Sequence, residues 1–199
     1  MPTSQIDVIN QVLNEIGRPA IDALLMTSPD APPDAQVIQL KLNLLLPELL
    51  SRGEWVFAVE YLFNNTPNSV SFSPDFLYSY TLPADYGRFK AVAPLGAPNV
   101  NFGLYYAILD GEFCTNAKPL QIYYIKNNVT YDVLTPTFVR ALVYYCAYEV
   151  AMPLTNNLEL TAYLKQKWKE ALSDAVRYND MERMVTSTPY NDFDRQAYI

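Results

Sequence analysis

The side chains in this chain that could do acid–base chemistry are carboxylates. Glu54, Glu60, Asp75, Asp85, Asp110 and Glu112 all fall between positions 54 and 112. A glycoside hydrolase needs two such groups, one protonated and one ionised, on either side of the scissile bond. Aromatic residues are dense in the same stretch and could stack on sugar rings. Against this, Asp75, Asp85 and Asp110 stand where turns favour aspartate for its bonds to nearby backbone. Composition closes most other chemistry. The chain has no histidine, which removes Ser-His-Asp and Cys-His constellations and imidazole-bearing zinc sites. It contains no G-x-x-x-x-G-K-[ST], G-x-G-x-x-G or G-x-S-x-G, and its six glycines leave little for a phosphate-cradling loop. Two cysteines, Cys114 and Cys146, make no disulfide framework and stand among apolar residues, as small hydrophobes do. No catalytic residue, cofactor site or metal ligand is assigned.

Elements must hold these groups. Ser4 is placed to cap a helix, with Asp7 three residues on. Ile6, Ile9, Leu13 and Ile16 recur at helical spacing, and Gly17 with Pro19 ends the run. The loop TSPDAPPDA leads to a second helix whose apolar stripe reads as Val37, Leu40, Leu44 and the leucines that follow. Pro47 is expected to kink or end it. The period then changes. EWVFAVEYLF, Glu54 to Phe63, reads as a strand from its β-branched and aromatic content. FLYSYTL puts Phe76, Tyr78, Tyr80 and Leu82 on one face and Leu77, Ser79 and Thr81 on the other, before a turn at Pro83 and Asp85. FKAVAPL, then YYAILDGEFCT with Asp110-Gly111 as a hairpin turn, then PLQIYYI, complete five or six short strands. They suggest an antiparallel sandwich or partly open barrel.

From Thr135, an N-cap followed by Pro136, a helix runs to about Met152 with Pro153 as its stop. Phe138, Leu142 and Tyr145 form one stripe, and Val139, Val143, Cys146 and Val150 another, so it is apolar nearly all round and belongs at the centre of a helical cluster. Asn156 or Asn157 restarts a long helix with Leu160, Leu164, Trp168, Leu172 and Ala175 on its core face. Lys165, Lys167, Lys169, Glu170 and Asp174 lie on the solvated side. The expected fold is α+β. Residues 1–53 and 135–184 form a helical bundle, 54–134 a β-rich inserted module, and 185–199 an extended C-terminal arm. In that arm Tyr190, Phe193, Tyr198 and Ile199 are spaced among polar residues, as a frayed tail or as a docking segment ordered by a partner.

A net charge of −7 and a pI near 4.5 argue against a protein that grips phosphates. An acidic wall could still surround DNA without sticking to it. No run of eighteen apolar residues occurs, so no membrane span is expected, and MPTSQIDVIN lacks the basic start and apolar core of a signal peptide. Synthesis in a cytoplasm is the default. The sixteen tyrosines exceed what a sheet core needs, and tyrosine suits interfaces, offering broad contact at low entropy cost.

In this order, several segments resemble the tail tubular protein A family of short-tailed bacteriophages. EWVFAVEYL follows a two-helix start. YSYTLPADYGRFKAV is a strand, a proline turn and a second strand. PLQIYYI precedes FVRALVYYCAYEVAMPLT, and KQKWKEALSDAVRYND is similar to a long final helix. The likeness runs from about Ser4 to Asp180. It implies a non-enzymatic virion protein of the tail, made in the host bacterium. Twelve copies would form a ring between the portal protein and the tail nozzle protein, and DNA would pass through without specific binding. The helices and the arm residues Tyr190, Phe193, Tyr198 and Ile199 would then face the portal, and the β-module the nozzle. A carboxylate-dependent glycan hydrolase of a phage tail is the alternative.

Overall fold

The computed structural model describes residues 3–23, 31–64, 66–68, 75–94, 105–118 and 120–186. Helix α1 (Gln5–Glu15) opens with a capping box. The Asp7 amide donates to the Ser4 hydroxyl at 3.3 Å, and the Ser4 amide donates to the Asp7 carboxylate at 2.9 Å. It closes on Gly17, whose φ of 73° lets the Gly17 and Arg18 amides turn back to the Asn14 and Leu13 carbonyls.

Helix α2 (Pro33–Ser51) follows the sequence reading only in part, since of the expected stripe the leucines after Leu44 are buried. Its buried residues are Ala35, Ile38, Leu42, Leu45, Leu46, Leu49 and Leu50. The first three residues of that stripe lie outside, with Leu40 66 % and Leu44 68 % exposed and Val37 beside them. The helix also continues through Pro47 instead of ending there. An internal proline costs about 3 kcal/mol. Leu49 and Leu50, both fully buried beyond it, each return about 1.5–3 kcal/mol. Tertiary packing therefore carries the helix across the break.

Helix α3 (Pro136–Thr155) starts as expected, with the Thr135 hydroxyl accepting from the Phe138 amide. Both of its stripes are buried. It outlasts Pro153 by two residues, because its last carbonyls find partners. The Arg18 guanidinium donates to the Leu154 carbonyl at 2.9 Å, and the Asn156 amide, with Asn156 in the left-handed region, donates to Met152. Helix α4 (Leu158–Thr186) is capped by Asn157, whose side chain accepts from the Leu160 amide at 3.0 Å. Leu164, Ala171 and Ala175 are buried on it, and Leu160, Trp168 and Leu172 pack against the same core.

The first expected strand begins late. Val56–Ala58 form a 3-10 turn, pinned because the Trp55 indole N–H donates to the Leu49 carbonyl and its ring meets Phe138 edge-on at 4.8 Å. The extended strand β1 is Val59–Asn64. Strands β2 (Tyr78–Thr81), β3 (Tyr86–Pro94), β4 (Tyr106–Leu109), β5 (Glu112–Thr115) and β6 (Leu120–Lys126) follow. Among the described residues they build two antiparallel sheets of three, ordered β1-β6-β3 and β2-β5-β4, with no closed barrel. Asp110 and Gly111, both at positive φ, make the tight turn between β4 and β5. Where β3 slips register against β6, Gly87 lies so close that a Cβ would stand 2.9 Å from the Asn127 nitrogen and the Ile125 oxygen.

Two apolar cores result. Helices α1 to α4 share the larger with Trp55, Ala58 and Ile125. Tyr80, Val92, Phe113 and Ile122 make a smaller one between the sheets, completed by Phe89 and Leu62. Along β6 the alternation divides these duties, Ile125 joining the helices and Ile122 the facing sheet.

Candidate interaction surfaces

Among the described residues no three of the six carboxylates gather where they could hold a metal ion, and two of them, Glu60 and Asp85, both act on Tyr124. Glu60 on β1 is 3.0 Å from the Lys126 ammonium across the sheet. Lys126 holds its carboxyl below the usual range, helped by the Tyr61 amide. Asp85, in the turn before β3, accepts from the Tyr124 hydroxyl at 3.1 Å, and Asp110 forms the hairpin corner. Glu112 begins β5 opposite Thr81 and Leu109, with Oε2 buried and unbonded among the described residues. A general acid needs its carboxyl raised toward neutrality. Glu60 is shifted the other way, as a structural ion pair.

Cys114 and Cys146 are buried and free. Burial pushes the Cys146 thiol up to about 12, and the Cys114 thiol is raised for the same reason. Both are poor nucleophiles at neutral pH. Among the described residues no group of three or more His, Cys, Asp or Glu side chains could hold a metal ion, and no helix is long and apolar enough to cross a membrane.

What the surface offers is apolar area in three separate places. On α2, Val37, Leu40 and Leu44 form an outward row at helical spacing, one turn apart along the axis. Strand β4 is the outer strand of its sheet, and Tyr106, Ile108 and Leu109 on it are exposed. Such an apolar edge, with one side of its backbone unpaired among the described residues, is a template for another chain. The third place is a groove of about 260 Å³ between α3 and α4, lined by Thr137, Arg140, Ala171, Asp174, Arg177, Tyr178 and Met181.

The tyrosines divide accordingly. Tyr80, Tyr124 and Tyr145 are buried, whereas Tyr61, Tyr105, Tyr106, Tyr163 and Tyr178 are exposed. Tyr145 is part of a clamp, stacking on Trp168 at 4.5 Å beneath the Arg52 guanidinium and donating its hydroxyl to Glu48 at 2.8 Å. The arm residues Tyr190, Phe193, Tyr198 and Ile199 lie outside the described residues.

Sequence reasoning passed over the α2 row as a surface, because it took that row for the core. It also passed over Arg140 and Arg177, thirty-seven positions apart (177 − 140), which only the antiparallel pairing of α3 and α4 brings to one groove. Compared with known proteins, the chain matches no family model and no curated protein.

Proposed function

We propose that the chain is a structural subunit of a ring, the adaptor that joins a portal to a tail nozzle in a short-tailed phage virion and forms part of the channel for DNA. The observation that carries this reading is the pair of unlike apolar surfaces, the α2 row and the β4 edge, on one acidic subunit. A closed ring needs head-to-tail contacts, in which one patch of each copy meets a different patch of the next. A channel wall that lets DNA slide needs few phosphate-gripping cations, in keeping with the net charge of −7. The resemblance in segment order supplies the partners: the portal protein on the side of the helices and arm, and the nozzle protein on the side of the sheets. In the glycan-hydrolase reading Glu60 or Asp85 would have to leave Lys126 or Tyr124 to act.

The test is co-sedimentation of the purified chain with its portal ring. The wild type should travel with the ring, and Leu40→Glu/Leu44→Glu should not, although its melting temperature stays within a few degrees because both leucines face outward. Wild-type chain left in the supernatant at micromolar concentration would overturn the adaptor reading. Undiminished ring formation by the double variant would remove the α2 row from it.

A further inference from the structure

The groove between α3 and α4 brings two arginines beside exposed apolar side chains. Arg140 on α3 and Arg177 on α4 line it together, both exposed, and neither forms an ion pair among the described residues. Five other cations of this acidic chain, Arg18, Lys41, Arg52, Lys126 and Lys167, are paired with carboxylates. Tyr178 and Met181 on the same wall are 41 % and 59 % exposed, so the groove offers an apolar side to whatever the arginines hold. Asp174 is its one acidic lining residue, and the balance of the lining is one positive charge (two arginines less one aspartate). The complementary ligand is a short peptide with an aromatic side chain flanked by carboxylates.

The chain carries such a peptide. After Thr186 it reads STPYNDFDRQAYI, with Phe193 between Asp192 and Asp194. The distances allow it to reach the groove. From Thr186 back to Arg177 is nine residues of helix (186 − 177), roughly 14 Å at 1.5 Å per residue. From Thr186 on to Phe193 is seven residues (193 − 186), up to roughly 23 Å of extended chain. We infer that the α3–α4 groove is the seat of the chain's own segment Tyr190–Asp194. Phe193 rests on Tyr178 and Met181, and Asp192 and Asp194 face Arg140 and Arg177. The groove thereby holds the arm on its own subunit until a partner that binds the arm more tightly draws it off. This goes beyond the adaptor reading and does not need it, since its test contains no portal.

The test uses the full chain and a fluorescein-labelled synthetic peptide of residues 187–199. In one protein the tail is disabled by Asp192→Asn, Phe193→Ser and Asp194→Asn. The peptide should bind this protein, measured by fluorescence anisotropy, and weaken as salt rises from 50 to 300 mM. Adding Arg140→Glu and Arg177→Glu should abolish binding without changing the circular dichroism spectrum. The wild type should take up the peptide about tenfold more weakly, because a tethered tail at millimolar effective concentration competes for the groove. No binding to the tail-disabled chain overturns the inference, as does binding indifferent to the arginine substitutions. Equal binding to wild type overturns occupancy by the chain's own tail. A block that disappears on dilution also overturns it, placing the tail of a second copy in the groove instead.

Discussion

Asn179 uses both halves of its amide on one turn. Its Oδ1 accepts from the Val56 amide at 2.8 Å, and its Nδ2 donates to the Glu54 carbonyl at 3.0 Å, so α4 is stapled to the 3-10 turn that starts the sheet. The side chain is 7 % exposed, and water cannot readily replace it. Asn179→Ala should leave two backbone groups short of partners and cost about 1–3 kcal/mol in urea unfolding. Asn179→Asp should be little better, because it keeps the acceptor but loses the donor to Glu54. A loss below about 0.5 kcal/mol for the alanine variant would mean that the turn is held by Trp55 alone. In the sequence Asn179 is one polar residue among many on a charged helix. Its partners lie more than 120 positions away, and no local pattern connects them. Ser4, Thr135 and Asp110-Gly111 could be read because their partners are three residues away or fewer. The groove arginines share the difficulty of Asn179, since only the pairing of α3 with α4 brings them together.

At the scale of the elements, α2 shows where periodicity misleads. Its row Val37, Leu40, Leu44 satisfies a helical repeat as well as the buried row Ile38, Leu42, Leu45, Leu49 does. A helix apolar on most sides has no period that singles out its core face. Only the neighbours decide, and α3 presents its own apolar surface to the second row. Helix α3 escaped the error because both of its stripes are buried. The joint between α2 and α3 is marked by a titratable cluster. Arg52 first, then the Tyr145 hydroxyl, holds the Glu48 carboxyl below the usual range. Burial first, then the bond to Glu48, pushes Tyr145 up to about 12. A raised folded value for tyrosine means stability that is full below its ordinary value of 10 and is lost as pH climbs from there toward 12. A lowered value for Glu48 means stability present above its ordinary 4.5 and lost as pH falls below it. Tyr145→Phe should therefore flatten the decline in melting temperature between pH 10 and 12, and leave a residual slope from Tyr124, which is also raised to about 12. It should also reduce the loss on the acid side, because Glu48 no longer gains that bond on folding. An alkaline decline as steep in the variant as in the wild type would show that the hydroxyl is not held in the folded protein.

The whole molecule has unequal cores, and that inequality has a dynamic consequence. The helical core runs from Val8 to Ala175 and takes in helices α1 to α4, so removing any one of them exposes large apolar area. Among the described residues the core between the sheets has four buried side chains, Tyr80, Val92, Phe113 and Ile122, and two of these belong to the sheet that also leans on the helices through Ile125. The outer sheet, β2-β5-β4, is tied to the inner one through Tyr80 and Phe113, with the ring contacts of Phe113 to Phe89 and Tyr106 at 5.6 and 5.1 Å. Opening that sheet exposes a fraction of what global unfolding exposes, so it should open alone at a lower free energy. Native-state hydrogen exchange should show the amides of β2, β4 and β5 exchanging at least tenfold faster than those of Leu142–Val150 in α3, with weaker dependence on urea. Phe113→Ala, which removes about 3–5 kcal/mol of packing, should speed exchange in the outer sheet and leave the α3 amides nearly unchanged. Identical protection and identical urea dependence in both places would make the protein one cooperative unit and refute the hierarchy. A sheet that opens alone, with the apolar strand β4 at its edge, can fit itself to a neighbouring surface while the helical core keeps the subunit folded.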